Sequence, residues 1–407
     1  MSMQYAIRIA VSVAYPLILR YSRIRTMIAG SLGRSTGLSV RKLQAIPHDW
    51  DDIMSDNRNT AADPGLTYEK AGVDIAHSDS LKRDMAVYVN SRNPRVLNGL
   101  GQFASLYDIR FDDIADPVLV LKSEEPGSKQ KLAMQYGYVE SICHDMINHL
   151  VNDIAVMGAR PLTVLDTIVC GSAGKDTITT LIRGISEACM ENECDLVGGE
   201  TSIQPGVVDE GVYILTASVA GIVSRDKIID GSKIVPGDKI LAVASNGLHT
   251  NGYTLVRLLM DAAPQITREQ IGDETFIEAV MKPHTPYYRA LKGLNSGGAV
   301  HGMAHITGGG IEGNLSRIIP NGLSARVDLG KIEVLPVFNC IKSNGRVAEE
   351  EMLKTFNCGV GLIIVAEAKS EAAVISAVSG SYRCYNIGEI ARGDPPVAFE
   401  NNLSWGG

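Results

Sequence analysis

The sequence predicts a two-domain protein that mixes helices and strands, of the α/β or α+β class. Three observations carry this. At 407 residues and 43.6 kDa the chain is long enough to bury two separate cores. Its composition of 45% hydrophobic and 21% charged residues, with 41 glycines, describes a folded, loop-rich protein rather than a disordered or fibrous one. Short apolar runs alternate with helical periodicity along most of its length. The net charge of −8 and pI near 5.6 argue against nonspecific nucleic-acid binding, because a phosphate-tracking surface needs a basic excess. No apolar run approaches the roughly 20 residues of a membrane span.

The first 48 residues contain no Asp or Glu but carry Arg8, Arg20, Arg23, Arg25, Arg34, Arg41 and Lys42. That composition suits an organellar transit peptide, an upstream extension ahead of a working start at Met54, or a basic surface helix. Asp63-Pro64-Gly65 is a breaker, so residues 1–65 are read as a leader. The domains expected after it are 66–230 and 231–400, with a tail at 401–407. Seven cysteines, an odd number with no CxxC pair, suit buried thiols in a reducing compartment, and cytoplasmic residence follows unless the leader directs import.

Within the first domain an amphipathic segment spans 80–91 and a tight turn 99–103. The apolar run 117–121 reads as a buried strand delivering the chain to Glu124-Glu125-Pro126-Gly127-Ser128-Lys129. Ile142, Met146, Leu150, Ile154 and Met157 recur at helical spacing over 141–157, with Gly158 as C-cap. On that helix Asp145 and Asn152 share a face and Asp153 lies about 100° further round; alone they read as a solvated face. A helix over 177–191 leads to a strand over 195–197 and a turn at Gly198-Gly199-Glu200-Thr201, which places a carboxylate where sheets gather ligand groups. A long strand over 212–223 and a linker over 231–237 end the domain.

The second domain opens with a strand over 240–244 that feeds Ser245 to Arg257, SNGLHTNGYTLVR. A helix, a polar loop and a helix broken at Pro283 and Pro286 follow. A strand over 299–304 ends in His305-Ile306-Thr307-Gly308-Gly309-Gly310, a helical stretch over 312–319 stops at Pro320, and TFNCGVG opens a strand over 362–366. The 245–257 and 305–310 stretches each set a histidine among small residues ahead of a helix, so backbone N–H groups and an imidazole can converge on an anion.

Singly these motifs are weak, but their order is specific: YEKAGVD, NGLGQF, SEEPGSK, LVND, LVGGET, KIIDGSKI, NGLHTNGYTLVR, AHITGGGIEGN and EMLKTFNCGVG. In this order the chain resembles the phosphoribosylformylglycinamidine cyclo-ligase, or aminoimidazole ribonucleotide synthetase, family over about residues 68–390. The resemblance implies an N-terminal sheet domain that pairs into a homodimer and a C-terminal α/β sandwich domain. It implies an Mg²⁺- and ATP-dependent ring closure of formylglycinamidine ribonucleotide to aminoimidazole ribonucleotide, with ADP and phosphate as co-products. Phosphoryl transfer by positioning and charge neutralisation is consistent with carboxylates holding a metal between phosphate oxygens.

Carried over by motif, Glu124, Asp153 and Glu200 are the implied metal-binding acids, and Lys129 would neutralise ATP phosphate. Gly127, Ser128, Asn152, Gly199, Asn251, Gly308, Gly309, Gly310 and Asn357 fall at nucleotide- or substrate-loop positions. His249, His305 and Lys129 are the implied catalytic residues, His249 facing the substrate or its transferred phosphate. The chain departs from the family where DGVGTK becomes Glu124 to Lys129: Glu for Asp keeps a hard oxygen ligand, whereas Pro126 removes a backbone donor. Ile203 replaces an acid after GGET, Ile214 stands where the family has Asp, and Pro-Thr-Arg-Ile-Tyr becomes Pro283-His284-Thr285-Pro286-Tyr287. Two other classes share these motifs. One is a related kinase or synthetase acting on another acceptor; a selenophosphate synthetase would carry a reactive Cys near its start, yet no cysteine precedes Cys143. The other is a nucleotide-binding paralogue that regulates a partner, which should have lost the acids that are present here.

Overall fold

The computed structural model describes residues 86–89, 93–99, 102–171, 174–294 and 297–406. The expectations for residues 1–65 and 68–74, and most of 80–91, lie outside them.

The first sheet has four strands in the order β1-β4-β2-β3: β1 is Pro117–Glu124, β2 Arg160–Cys170, β3 Asp195–Ile203 and β4 Tyr213–Ser224. Only β2 and β3 run parallel. A crossover helix is what a parallel neighbour requires, and α3 (Lys175–Glu191) supplies it, burying Ile178, Leu181, Ile182, Ile185 and Cys189. Helices α1 (Lys129–Tyr136) and α2 (Val139–Ala155) fill the space between β1 and β2 in the chain. The apolar stripe of α2, Ile142, Met146, Leu150 and Ile154, is buried against the sheet. Gly158 closes the turn after α2 with a φ of 83°, and a Cβ there would lie 2.7 Å from the Lys227 carbonyl.

Two local expectations need correction. The GGET stretch is not a turn: β3 runs unbroken from Asp195 to Ile203, because pairing with β2 through Cys170–Ile203 gives its backbone partners. Strand β2 itself, PLTVLDTIVC after Arg160, was not expected, although its alternating burial is that of a strand.

The second sheet has six strands in the order β12-β9-β11-β5-β10-β8. In chain order they are β5 (Lys239–Ala244), β8 (Val300–His305), β9 (Leu323–Asp328), β10 (Val360–Ala366), β11 (Cys384–Arg392) and β12 (Val397–Glu400), with a two-stranded ribbon of β6 (Gln270–Ile271) and β7 (Glu274–Thr275) between β5 and β8. Strand β10 is buried along its whole length, as its continuous apolar run requires. It runs antiparallel to both β5 and β8, so its entry lies beside their exits. That topology gathers three loops at one end of the sheet. Helix α4 (Tyr253–Ala262) starts immediately after Gly252, so Arg257 lies inside the helix rather than before it. The expected boundary at 230/231 falls in the connection between β4 and β5.

Candidate active site

Strand β1 ends at Glu124, and Lys122, two residues earlier, shares its face. Helix α2 crosses that face and presents His149 and Asp153 at i and i+4. The ammonium of Lys122 lies 3.0 Å from a Glu124 oxygen and 3.0 Å from Asp153 Oδ2. His149 Nε2 is 3.7 Å from each of the same carboxylates. From the second sheet, His305 at the end of β8 meets Asp153 Oδ1 through Nδ1 at 2.7 Å. Its Nε2 faces His284 Nε2 at 2.8 Å. His284 in turn stacks on His249, with ring centroids 3.9 Å apart. Four imidazoles, two carboxylates and one ammonium therefore share a junction of the two halves of the chain.

Burial sets the protonation of this cluster. It pushes His149 down to about 4 and holds His249 and His284 well below the usual imidazole range, with the neighbouring histidines acting in the same direction. These three rings are neutral at pH 7. Burial acts to raise the Asp153 carboxyl, but the hydrogen bond with His305 and the positive charge of Lys122 hold it well below the carboxylate range. Burial opposes the charge on Lys122, yet Asp153 and Glu124 raise its pKa. Lys122 is the cation of the site.

The loops are held by backbone and amide contacts. His249 adopts a left-handed φ of 62° and its Nε2 lies 3.1 Å from the Thr285 hydroxyl. A Cβ on Gly361 would fall 1.9 Å from the Tyr287 hydroxyl and 2.7 Å from His249 Cε1, so the strand under the imidazole must be glycine there. Gly308 lies against Asn251, whose buried Nδ2 has no hydrogen-bond partner and is available to a ligand. Gly310 has a φ of 61° and would carry a Cβ only 1.8 Å from the Leu353 carbonyl. Gly127 approaches the Thr250 carbonyl, bringing the β1 loop and Ser128 beside the 249–252 loop.

The structure thus brings Glu124, Asp153, His249, His305, Asn251 and the glycine loops together. Four expected residues have other places. Lys129 is fully buried, and its three N–H donors engage Asp145 at 2.8 Å, the His249 carbonyl at 3.0 Å and the Lys282 carbonyl at 2.6 Å. No donor is left for a phosphate. Asn152 donates to the Thr285 carbonyl and accepts from Tyr287 N–H, while Asn148 donates to the His284 carbonyl and Asp145 accepts from His284 N–H. The polar face of α2 is therefore no solvated face; it grips the backbone of residues 284–287. Asn357 accepts from Ser245 Oγ and Gly359 N–H and donates to the Gly247 carbonyl, so it shapes the loop from within.

Glu200 is the fourth. Glu124, Ala217, Asp166 and Gly199 form one row across the sheet, so their side-chain directions agree. Glu200 is next in β3 and points to the opposite face, away from Glu124 and Asp153. Gly199 is needed because a Cβ would lie 2.0 Å from Asp166 Oδ1. Asp166 was not foreseen: burial, with the charge of Glu200, pushes its carboxyl up to about 7. Lys122 and His149 were also missed, although their spacings to Glu124 and Asp153 were readable.

Residues 118–223 match the family model of AIR synthase related protein, N-terminal domain, and residues 235–399 that of the C-terminal domain. A phosphoribosylformylglycinamidine cyclo-ligase of Methylobacillus flagellatus is 38% identical over 327 residues, covering 80% of this chain and 94% of the relative. One of Sorangium cellulosum is 38% identical over 349 residues, covering 84% and 99%. The chain belongs to the phosphoribosylformylglycinamidine cyclo-ligase family. Among solved structures, thiamine-monophosphate kinase of Stenotrophomonas maltophilia superposes with a TM-score of 0.58 at 19% identity, covering 82% of this chain and 98% of that one. E. coli HypE gives 0.60 at 14% identity, covering 81% and 97%. These two likenesses establish the shared two-domain α/β fold and nothing finer.

The magnesium ion that the family implies can be tested against the donors. Glu124 and Asp153 fit it: two hard carboxylates meet on one point, the point that Lys122 Nζ marks at 3.0 Å from each. Lys122, whose side chain is 36% exposed, would have to swing aside. Glu200 does not join that pair within one chain.

Proposed function

We propose that this protein converts formylglycinamidine ribonucleotide and ATP to aminoimidazole ribonucleotide, ADP and phosphate, a cyclisation step of purine biosynthesis. The observation that carries the reading is the meeting of the family-matched loops after β1, β5 and β8 and before β10 on one cluster of carboxylates and imidazoles. In the reaction the formyl oxygen takes the γ-phosphoryl group, the amidine-side nitrogen attacks the same carbon, and phosphate leaves with that oxygen. Glu124 and Asp153 would hold Mg²⁺, which neutralises phosphate charge when bound. Lys122 supplies the positive charge that Lys129 cannot. The neutral imidazole of His249 offers a hydrogen bond to the substrate, and His305, oriented by Asp153, offers a base for the proton released on ring closure. Asn251 Nδ2 and the backbone N–H groups of Gly308 and Gly309 would meet phosphate oxygens, the Gly310 N–H already donating to the Thr307 carbonyl.

Two wider readings accompany this one. The outer face of the first sheet exposes Leu119, Leu121, Leu165 and Ile214, an apolar face suited to the pairing of two copies as a homodimer. All seven cysteines are buried thiols, which supports a reducing compartment such as the cytoplasm. Among the described residues no helix is long and apolar enough to cross a membrane. The test is purified protein given formylglycinamidine ribonucleotide, ATP and Mg²⁺, followed for ADP and for the aminoimidazole product. Product that requires all three is expected; ADP release indifferent to the ribonucleotide overturns the reading.

A further inference from the structure

Away from the catalytic cluster, a cavity of about 310 Å³ opens where the connection from β4 to β5 passes the start of β8, a volume within the range of small-molecule sites. Ile229 and Val300 give it a buried apolar floor, and Lys227, Lys233, Asp226, Asp230 and His301 supply its polar groups. Four residues of β8, about 13 Å of extended chain, separate His301 from His305. His301 is held in one orientation. Its Nδ1 lies 2.7 Å from Asp238 Oδ2, and the same oxygen accepts from the Val235 N–H at 3.0 Å. Asp238 is buried, and a carboxylate only accepts, so the ring carries its proton on Nδ1. Nε2 is the nitrogen left for whatever enters the cavity.

Among the described residues the ammonium groups of Lys227 and Lys233 have neither a hydrogen bond nor an ion pair. The two acids of the cavity are engaged locally instead: Asp226 accepts from Ser224 Oγ at 2.5 Å and Asp230 from the Ser232 N–H at 2.9 Å. After its Ser224 hydrogen bond, the charges of Lys227 and Lys233 both help to hold the Asp226 carboxyl below its usual range, so both ammonium groups lie near that acid. A carboxylate has about four acceptor sites, which leaves each aspartate able to take a ligand hydroxyl as well. We propose that this cavity binds a small sugar phosphate. Two unpaired ammonium groups match the nearly two negative charges of a phosphomonoester. Nε2 of the neutral His301 ring is an acceptor, as are Asp226 and Asp230, so the rest of the polar lining receives hydroxyl donors. A dicarboxylate would set its second charge against those acceptors, and a bare inorganic anion would leave them unmet. The carbon face of the sugar would lie on Ile229 and Val300.

Calorimetric titration of the full chain with ribose 5-phosphate, without ATP or Mg²⁺, tests the site, so its failure leaves the cyclisation reading standing. Saturable binding is expected, tighter than that of ribose or of inorganic phosphate. Lys227→Met combined with Lys233→Met should weaken it at least about ten-fold, since one hydrogen bond to a charged group is worth about that factor or more. Both side chains are exposed, so the double variant keeps its core. His301→Phe retains a ring but removes Nε2, and should bring the affinity for ribose 5-phosphate down toward that for inorganic phosphate. A wild type that shows no saturable binding overturns the proposal. So does binding that survives the lysine double variant but is lost in Asn251→Ala, which would put the probe in the catalytic loops. Equal affinity of the wild type for ribose 5-phosphate and inorganic phosphate would overturn the assignment to a sugar phosphate.

Discussion

Replacing Lys129 by Met separates a strut from a phosphate ligand. The substitution keeps the aliphatic stem but removes the ammonium from Asp145 and from the carbonyls of His249 and Lys282. Breaking a buried pair by deleting one partner costs about 3–5 kcal/mol. Burial has already pushed the Asp145 carboxyl up to about 6 despite the opposing charge of Lys129. Without that charge it takes up a proton at neutral pH, so a loss of about 3 kcal/mol is expected, at the lower end of the range for a broken pair. Adding Asp145→Asn should recover part of the loss, because the amide oxygen still accepts from His284 N–H. Urea unfolding followed by circular dichroism gives the stability, and KM for ATP is measured where the variant is folded. The expected pattern is a large loss of stability with KM for ATP within about two-fold of wild type. A variant within about 1 kcal/mol of wild type whose KM for ATP rises ten-fold would show that Lys129 is a phosphate ligand after all, and the strut argument would fall.

Two further outcomes follow from single positions. Gly361→Ala puts a methyl group 1.9 Å from the Tyr287 hydroxyl and 2.7 Å from His249 Cε1. Overpacking of this kind costs about 1–3 kcal/mol, and displacement of His249 should lower kcat at least ten-fold. Gly380→Ala, at an open helix end, is the control, and equal rates for the two variants would remove His249 from the mechanism. Asp166 provides a pH test. Its folded pKa of about 7 exceeds the unfolded 3.8, so the folded state binds the extra proton and the group's contribution to stability falls as pH rises through that window. The span of 7 − 3.8 = 3.2 units corresponds to about 4 kcal/mol. Asp166→Asn should gain on wild type as urea midpoints are compared from pH 4 to pH 8, and parallel curves would contradict the burial argument.

Much of the fold was legible because periodicity reports which residues share a face. Helix α2 was readable to within two residues from Ile142, Met146, Leu150 and Ile154. What covers a face is not in the period: Asp145 and Asn152 pair with backbone 133–139 residues away, and no local pattern separates that from solvent. Strand β3 was cut short because Gly198-Gly199 is a turn signal locally, whereas here glycine clears the Asp166 side chain on the neighbouring strand. The same limit explains the site. Glu124, Asp153, His249 and His305, singled out by motif order, lie in one region of the structure, each in its own loop or helix end. Motif order also carried Lys129 to a phosphate, because a motif records residue type and not which way a side chain turns. Lys122 went unnoticed as one basic residue in an apolar strand, yet alternation alone puts it on the face of Glu124. The neighbours of the acids are therefore best weighed together: a cation at Lys122 and imidazoles at His149 and His284 surround the carboxylates that would hold Mg²⁺. On the proposed reading such a site would neutralise phosphate partly with its own side chains, and its demand for added Mg²⁺ would be set by how readily Lys122 leaves Asp153.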